Sequence, residues 1–168
     1  MATRRPLSAV VAGEWKYDWV EHSPGPGAMS TKQTLKGHCH CGSVSVTAGF
    51  TRDLTDYAPR ACDCDFCQMH NAAYLSDPDG SLTFHTDDSS SIRRYRQGAE
   101  LADMLFCGHC GVLLGAQYKE SESVFGVVNA RLFSQAFGET QPASPKQLAP
   151  RDKTNRWKRL WFSGVAFE

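Results

Sequence analysis

The sequence predicts a mainly β protein of antiparallel sheets, and three observations carry that expectation. Short runs rich in β-branched and aromatic residues recur from Leu35 to Phe162, with Gly, Asp, Ser and Pro between them. No long segment shows a 3.6-residue apolar period, and no Gly-rich phosphate loop occurs. The 168 residues, 41% of them hydrophobic, are enough for one domain with its own core and short for two.

Taken in order, Val44 and Val46 alternate with Ser43 and Ser45, the period of a half-buried strand. Leu82-Thr83-Phe84, Ile92 to Tyr95, Met104 to Phe106, Val112 to Tyr118, Val124 to Val128 and Arg156 to Phe162 continue the series of strands. Helix is expected only as short pieces around Gln68 to Ala73 and near Leu132 to Phe137. Pro142 to Pro150 reads as an extended connection that returns the last strand to the sheet. Residues 1–30 close on Ser23-Pro24-Gly25-Pro26-Gly27, a breaker cluster, and read as an N-terminal extension or leader ahead of a single domain over 31–168. Within that extension Trp15 and Trp19, four apart, would share one face of a short docking helix or else belong to an idle segment.

Charge and hydropathy narrow the classes. Eighteen basic and eighteen acidic side chains give zero formal net charge, which removes the long-range field of a dedicated nucleic-acid or anionic-membrane binder. No apolar run approaches the length of a membrane span. Glu14, Lys16 and Asp18 interrupt the weakly apolar start, so a secretory signal is not expected and the cytoplasm is the expected compartment.

Seven cysteines are the most informative feature. They fall in three tight clusters: Cys39 and Cys41; Cys62, Cys64 and Cys67; Cys107 and Cys110. A disulfide framework spreads its cysteines, whereas thiolates two or three residues apart converge on one metal ion. The first and third clusters, His38-Cys39-His40-Cys41-Gly42 and Cys107-Gly108-His109-Cys110-Gly111, each read as half of one structural zinc site. The middle cluster supplies three thiols and leaves no cysteine for a fourth, which points to an open coordination position. A fourth ligand from His70, Asp65, His109, His38 or His40 would instead close the site, and a disulfide inside the cluster is a third alternative.

The succession CHCGSV, then CxCxxC, then FCGHCG resembles the glutathione-dependent formaldehyde-activating enzyme family, which includes centromere protein V. The resemblance spans roughly Leu35 to Arg131 and covers all seven cysteines. It implies an Mss4-like fold of coiled antiparallel sheets with two zinc ions. Structural zinc would sit on Cys39, Cys41, Cys107 and Cys110, and catalytic-site zinc on Cys62, Cys64 and Cys67. The chain departs from the family pattern at Asp63, Asp65 and Gln68, where two acids make the middle site more negative. Asn71 to Ser76 resembles the stretch that follows the cysteines in the family, and Asn129 is placed at the border of the same cleft.

The implied reaction is addition of glutathione to formaldehyde, a carbon–sulfur lyase reaction run in reverse, so a small-molecule thiol and an aldehyde are the expected partners. A zinc-stabilised binding module without turnover is the alternative. Arg93-Arg94-Tyr95-Arg96 is a candidate grip for an anionic cosubstrate, although alternation would leave most of its charges solvated. Arg156-Trp157-Lys158-Arg159-Leu160-Trp161 interleaves cations and aromatics as single-strand nucleic-acid binders do, but an edge strand with its aromatics inward is the preferred reading.

Overall fold

The computed structural model describes residues 32–168, so the expected extension with Trp15 and Trp19 lies outside the described residues. The first sheet has four strands: β1 (Gln33–His38), β2 (Ser45–Phe50), β5 (Ser81–His85) and β11 (Val165–Phe167), in that spatial order. Seven strands make the second: β3 (Arg60–Cys62), β4 (Ala73–Leu75), β6 (Ile92–Arg96), β7 (Asp103–Cys107), β8 (Leu113–Glu120), β9 (Ser123–Asn129) and β10 (Gln141–Ala143). Their spatial order is β10-β3-β4-β9-β8-β7-β6. Pairing is antiparallel except for β10 on β3 and β11 on β5. The mainly β expectation holds, and nothing in the two sheets conflicts with an Mss4-like arrangement.

Alternation along the second sheet sorts its side chains into two cores. Leu105, Leu114 and Val128 face the first sheet and pack with Val46, Phe50 and Phe84. Their neighbours Met104, Leu113 and Val127 face the other way and pack with Trp157 and Trp161. A sheet covered on both faces reads as unbroken apolar pairs rather than as alternation, which is why these strands stand out in the sequence.

The cover on that outer face corrects the expectation for the C-terminal segment. Residues Pro150–Leu160 form a helix, α2, not a strand. Pro150 in the first turn presets the helical φ, Asp152 lies in the first turn, and Lys158 and Arg159 lie in the last, each charge complementing the helix dipole. Trp157, Leu160 and Trp161 fall at i, i+3 and i+4 on one face, and the two tryptophan rings stack at 4.7 Å. Both are buried, at 9% and 7% exposure, so the aromatics of the nucleic-acid alternative are taken up by packing. Pro142 to Pro150 delivers this helix rather than a strand, and its first residues pair with β3 as β10.

The short helices are also shifted. Helix α1 runs Asp65–Met69, ahead of the Gln68 to Ala73 expectation, because Cys64 caps it and Ala73 already belongs to β4. Near Leu132 there is a single 3-10 turn, Ala130–Leu132. Among the described residues no helix is long and apolar enough to cross a membrane.

Candidate metal centres and the cleft beside them

The two outer cysteine clusters occupy equivalent turns. Cys39 and Cys41 lie in the β1–β2 connection, where Cys39 N–H donates to Val44 O and Gly42 N–H to Cys39 O. Cys107 ends β7 and Cys110 lies in the β7–β8 connection, where Cys107 N–H donates to Val112 O and Gly111 N–H to Cys107 O. Each turn closes through a glycine at positive φ, +80° at Gly42 and +74° at Gly111, a conformation that side chains rarely adopt.

The fold brings the four sulfurs together, all within 4.8 Å of one another. Cys39 Sγ and Cys107 Sγ each stand 3.6 Å from Cys41 Sγ. Zinc–sulfur bonds of about 2.3 Å in a tetrahedron require sulfur–sulfur edges of about 3.8 Å, so the donor set fits zinc. Val44 N–H donates to Cys39 Sγ at 3.3 Å, and Ser43 Oγ lies 3.2 Å from Cys41 Sγ. Hydrogen bonding from Ser43 is the largest influence on Cys41 and brings its pKa down to about 6, whereas burial lifts Cys107 to about 12. Because β1 and β2 belong to one sheet and β7 and β8 to the other, this cluster bridges the two layers.

Cys62, Cys64 and Cys67 converge on the outer face of the second sheet, their sulfurs also within 4.8 Å of one another. Cys62 ends β3, Cys64 is the N-cap of α1, and Cys67 lies on that helix. Cys62 Sγ is 3.6 Å from Cys64 Sγ, and Cys64 Sγ accepts the Cys67 N–H at 3.5 Å. The Tyr74 hydroxyl stands 3.3 Å from Cys67 Sγ. A hydrogen bond from Cys67 outweighs burial and draws Cys62 down to about 6. The same bond, with burial, drives Cys67 far up, and burial raises Cys64. Three sulfurs at these separations fit zinc as well, and filling the site requires the retained protons to leave.

Among the described residues no His, Asp or Glu atom joins this trio. His40 is not part of the trio, and the other four candidate fourth ligands have contacts of their own. His70 packs on Phe66 and Phe106, His109 pairs with Ser43, and His38 lies against the Cys39 carbonyl. Asp65 Oδ1 accepts the Phe66 N–H, and all seven cysteines are free thiols.

Above the trio opens a cleft of about 430 Å³. Four cations line it: Arg60 from β3, Lys146 from the turn after β10, and Lys153 and Arg156 from α2. Arg60 lies two residues before Cys62 on the same side of the strand, and its Nη2 donates to the Ser76 hydroxyl at 2.6 Å. Burial, and then the charge of Arg156, pull the Arg60 pKa down to about 10. Lys146 Nζ pairs with Asp63 Oδ2 at 3.1 Å, so one of the two acids that made the motif more negative is neutralised at the cleft edge.

Other sequence candidates have structural places. The Asn129 amide donates to Leu113 O and its carbonyl caps the following turn, so it holds the sheet and does not line the cleft. Arg93, Arg94 and Arg96 are exposed on β6. Arg96 pairs with Asp103 at 2.6 Å and Arg94 lies over the Phe167 ring, so none of them lines the cleft. Of the cations that do line it the sequence singles out only Arg156, and for another role, because the four come together only through the β10–β3 pairing and the packing of α2.

Fold and donor set thus define a mainly β protein with two cysteine clusters able to bind metal. The family model of the glutathione-dependent formaldehyde-activating enzyme matches residues 34–152, and the chain belongs to that family. Among solved structures, the crystal structure of a Rhodobacter sphaeroides protein is similar at 21% identity, covering 80% of this chain and 100% of that one, with a TM-score of 0.45. None of the curated proteins matches the chain.

Proposed function

We propose that the chain is a zinc-dependent enzyme of carbon–sulfur lyase type that promotes addition of a thiol, glutathione in the first instance, to formaldehyde or a related small aldehyde. The observation that carries this reading is the convergence of three thiols, with no fourth donor among the described residues, at a cleft lined by four cations. Zinc on Cys62, Cys64 and Cys67 would take an incoming thiol in its open position and lower that thiol's pKa.

The chain's own residues do the rest. Arg60, Lys153 and Arg156 draw in a carboxylate-bearing thiol and hold it by charge-assisted hydrogen bonds. Tyr74 orients Cys67 from below. The cleft holds sulfur and aldehyde carbon together, converting a bimolecular addition into a positioned one. A carbon–sulfur bond forms, the thiol proton passes to the carbonyl oxygen, and nothing is oxidised or reduced. Zinc on Cys39, Cys41, Cys107 and Cys110 belongs to stability. Free thiols in every cluster fit a reducing compartment such as the cytoplasm.

The test is glutathione-dependent formaldehyde consumption above the uncatalysed background, measured alongside metal content. Two zinc ions per chain are expected, with a mild chelator removing the middle one first and abolishing turnover. No rate above background with any thiol and aldehyde pair would leave a zinc-stabilised binding module in place of the enzyme.

A further inference from the structure

The cleft is far larger than formaldehyde needs and is divided by chemistry. Pockets of about 300–1,000 Å³ accommodate drug-sized ligands, and this one encloses about 430 Å³. Its cationic part carries no Asp or Glu among the lining residues. Arg60, Lys153 and Arg156 make no ion pair with any carboxylate among the described residues. The remaining wall is mainly apolar, formed chiefly by Leu101, Met104, Val127, Leu148, Trp157 and Trp161, with Gln97 and Tyr74 as its polar side chains. The three cysteines pack in the same apolar cluster as the tryptophans.

The cations answer the carboxylates of an anionic thiol such as glutathione. They do not answer the apolar wall, whose aliphatic and indole carbons give amides few partners and make their burial against them unfavourable. We infer that the cleft takes anionic thiol conjugates in which the sulfur-bound carbon carries an apolar chain or an aromatic ring. This deepens the thiol-addition reading and rests on it: the aldehyde supplying that carbon bears an apolar substituent. Its carboxylates lie on Arg60, Lys153 and Arg156, and its apolar group lies against Leu101, Leu148 and the tryptophans. The bond change is the one already written, sulfur to carbonyl carbon with the proton to oxygen. Lys153, Arg156, Trp157 and Trp161 lie beyond the last residue of the family match, whereas Leu101, Met104, Val127 and Leu148 lie within it.

S-alkylated glutathiones test the cleft apart from thiolate chemistry, because they have no free thiol. Affinities of S-methyl-, S-butyl- and S-hexylglutathione for the zinc-loaded full chain would be measured by calorimetry. They should rise at least tenfold from methyl to hexyl, about 1.4 kcal/mol. Leu101→Ser and Leu148→Ser, at partly exposed positions that tolerate a polar group, should flatten the rise. Arg156→Gln should weaken every member by a similar factor. A ladder that is level or falls with chain length overturns the inference, and with formaldehyde turnover intact it leaves the reaction standing. A rising ladder without formaldehyde turnover does the reverse, supporting the cleft assignment and removing formaldehyde as substrate.

Discussion

Replacing Cys107 and Cys64 by serine should separate the two metal sites by their effects on folding. An ion shared by Cys41 and Cys107 closes a loop with 65 residues between its ends and joins the two sheets. Applied to that loop, the closure-entropy expression for covalent cross-links gives about 4 kcal/mol, against about 2 kcal/mol for the short loop from Cys62 to Cys67. Cys107 is also 1% exposed within the core between the sheets, so a hydroxyl there adds a buried polar group at about 1–3 kcal/mol. The sum, about 5–7 kcal/mol, is comparable to the whole net stability of a domain.

Cys64 differs at each step. It is half-buried, and its sulfur caps α1 by accepting the Cys67 N–H, a role in which serine is at least as good. Cys64→Ser should therefore stay folded with a melting temperature lowered by roughly 5–10 °C, while losing the middle zinc and thiol-dependent turnover. Cys107→Ser should lose its cooperative transition. Near-ultraviolet circular dichroism, thermal melts and zinc content read all of this in one preparation. Equal destabilisation by the two variants would show that the middle thiols are structural too, and an unaffected Cys107 variant would refute the tie between sheets.

Two further outcomes concern residues that hold the frame. Asp77, 2% exposed, accepts from Thr51 N–H at 2.8 Å, Thr51 Oγ1 at 2.7 Å and Tyr57 Oη at 2.5 Å. Burial raises its pKa, but these donors outweigh burial and hold it below the usual carboxylate range. A folded pKa below the unfolded value of about 3.9 means its contribution is present above that pH and is lost as pH falls through the folded value. Asp77→Asn should cost about 1–3 kcal/mol near neutral pH and flatten the loss of stability below about pH 4, read by urea unfolding at both pH values; an unchanged acid limb would refute the assignment. Ser76 accepts from Arg60 and donates to Leu160 O at the end of α2, so Ser76→Ala should raise KM for an anionic thiol several-fold with little change in kcat, and Ser76→Thr should restore it. A fall in kcat alone would refute this positioning role.

The sequence made local chemistry legible and left long-range convergence hidden. The seven cysteines could be grouped because metal ligands on a turn sit two or three residues apart, and the structure brings them together as the spacing requires. The runs around Leu105, Leu114 and Val128 could be read as strands because the sheet is apolar on both faces. Strands β3, β4, β10 and β11 have three residues each, too few to display any period. Residues 156–161 misled because arginine and lysine between tryptophans imitate alternation, while the i, i+3, i+4 spacing of Trp157, Leu160 and Trp161 was the signal of a helix.

Charge shows the same division at the site itself. Zero net charge over the chain suggested no electrostatic preference for a partner, and Asp63 and Asp65 suggested a middle site hostile to anions. Folding gives both features a local setting that the sequence does not display. Three thiolates with one zinc ion would sum to minus one, Lys146 offsets Asp63, and Asp65 lies exposed at the start of α1. Arg60, Lys153 and Arg156 then bring three positive charges to the same cleft, two of them from a helix more than eighty residues beyond Cys67 in the chain. The local balance would then be positive, and Arg60, half-buried, is screened less by solvent than a surface lysine. On the proposed reading, an anionic thiol would be favoured at a metal centre that would by itself repel it.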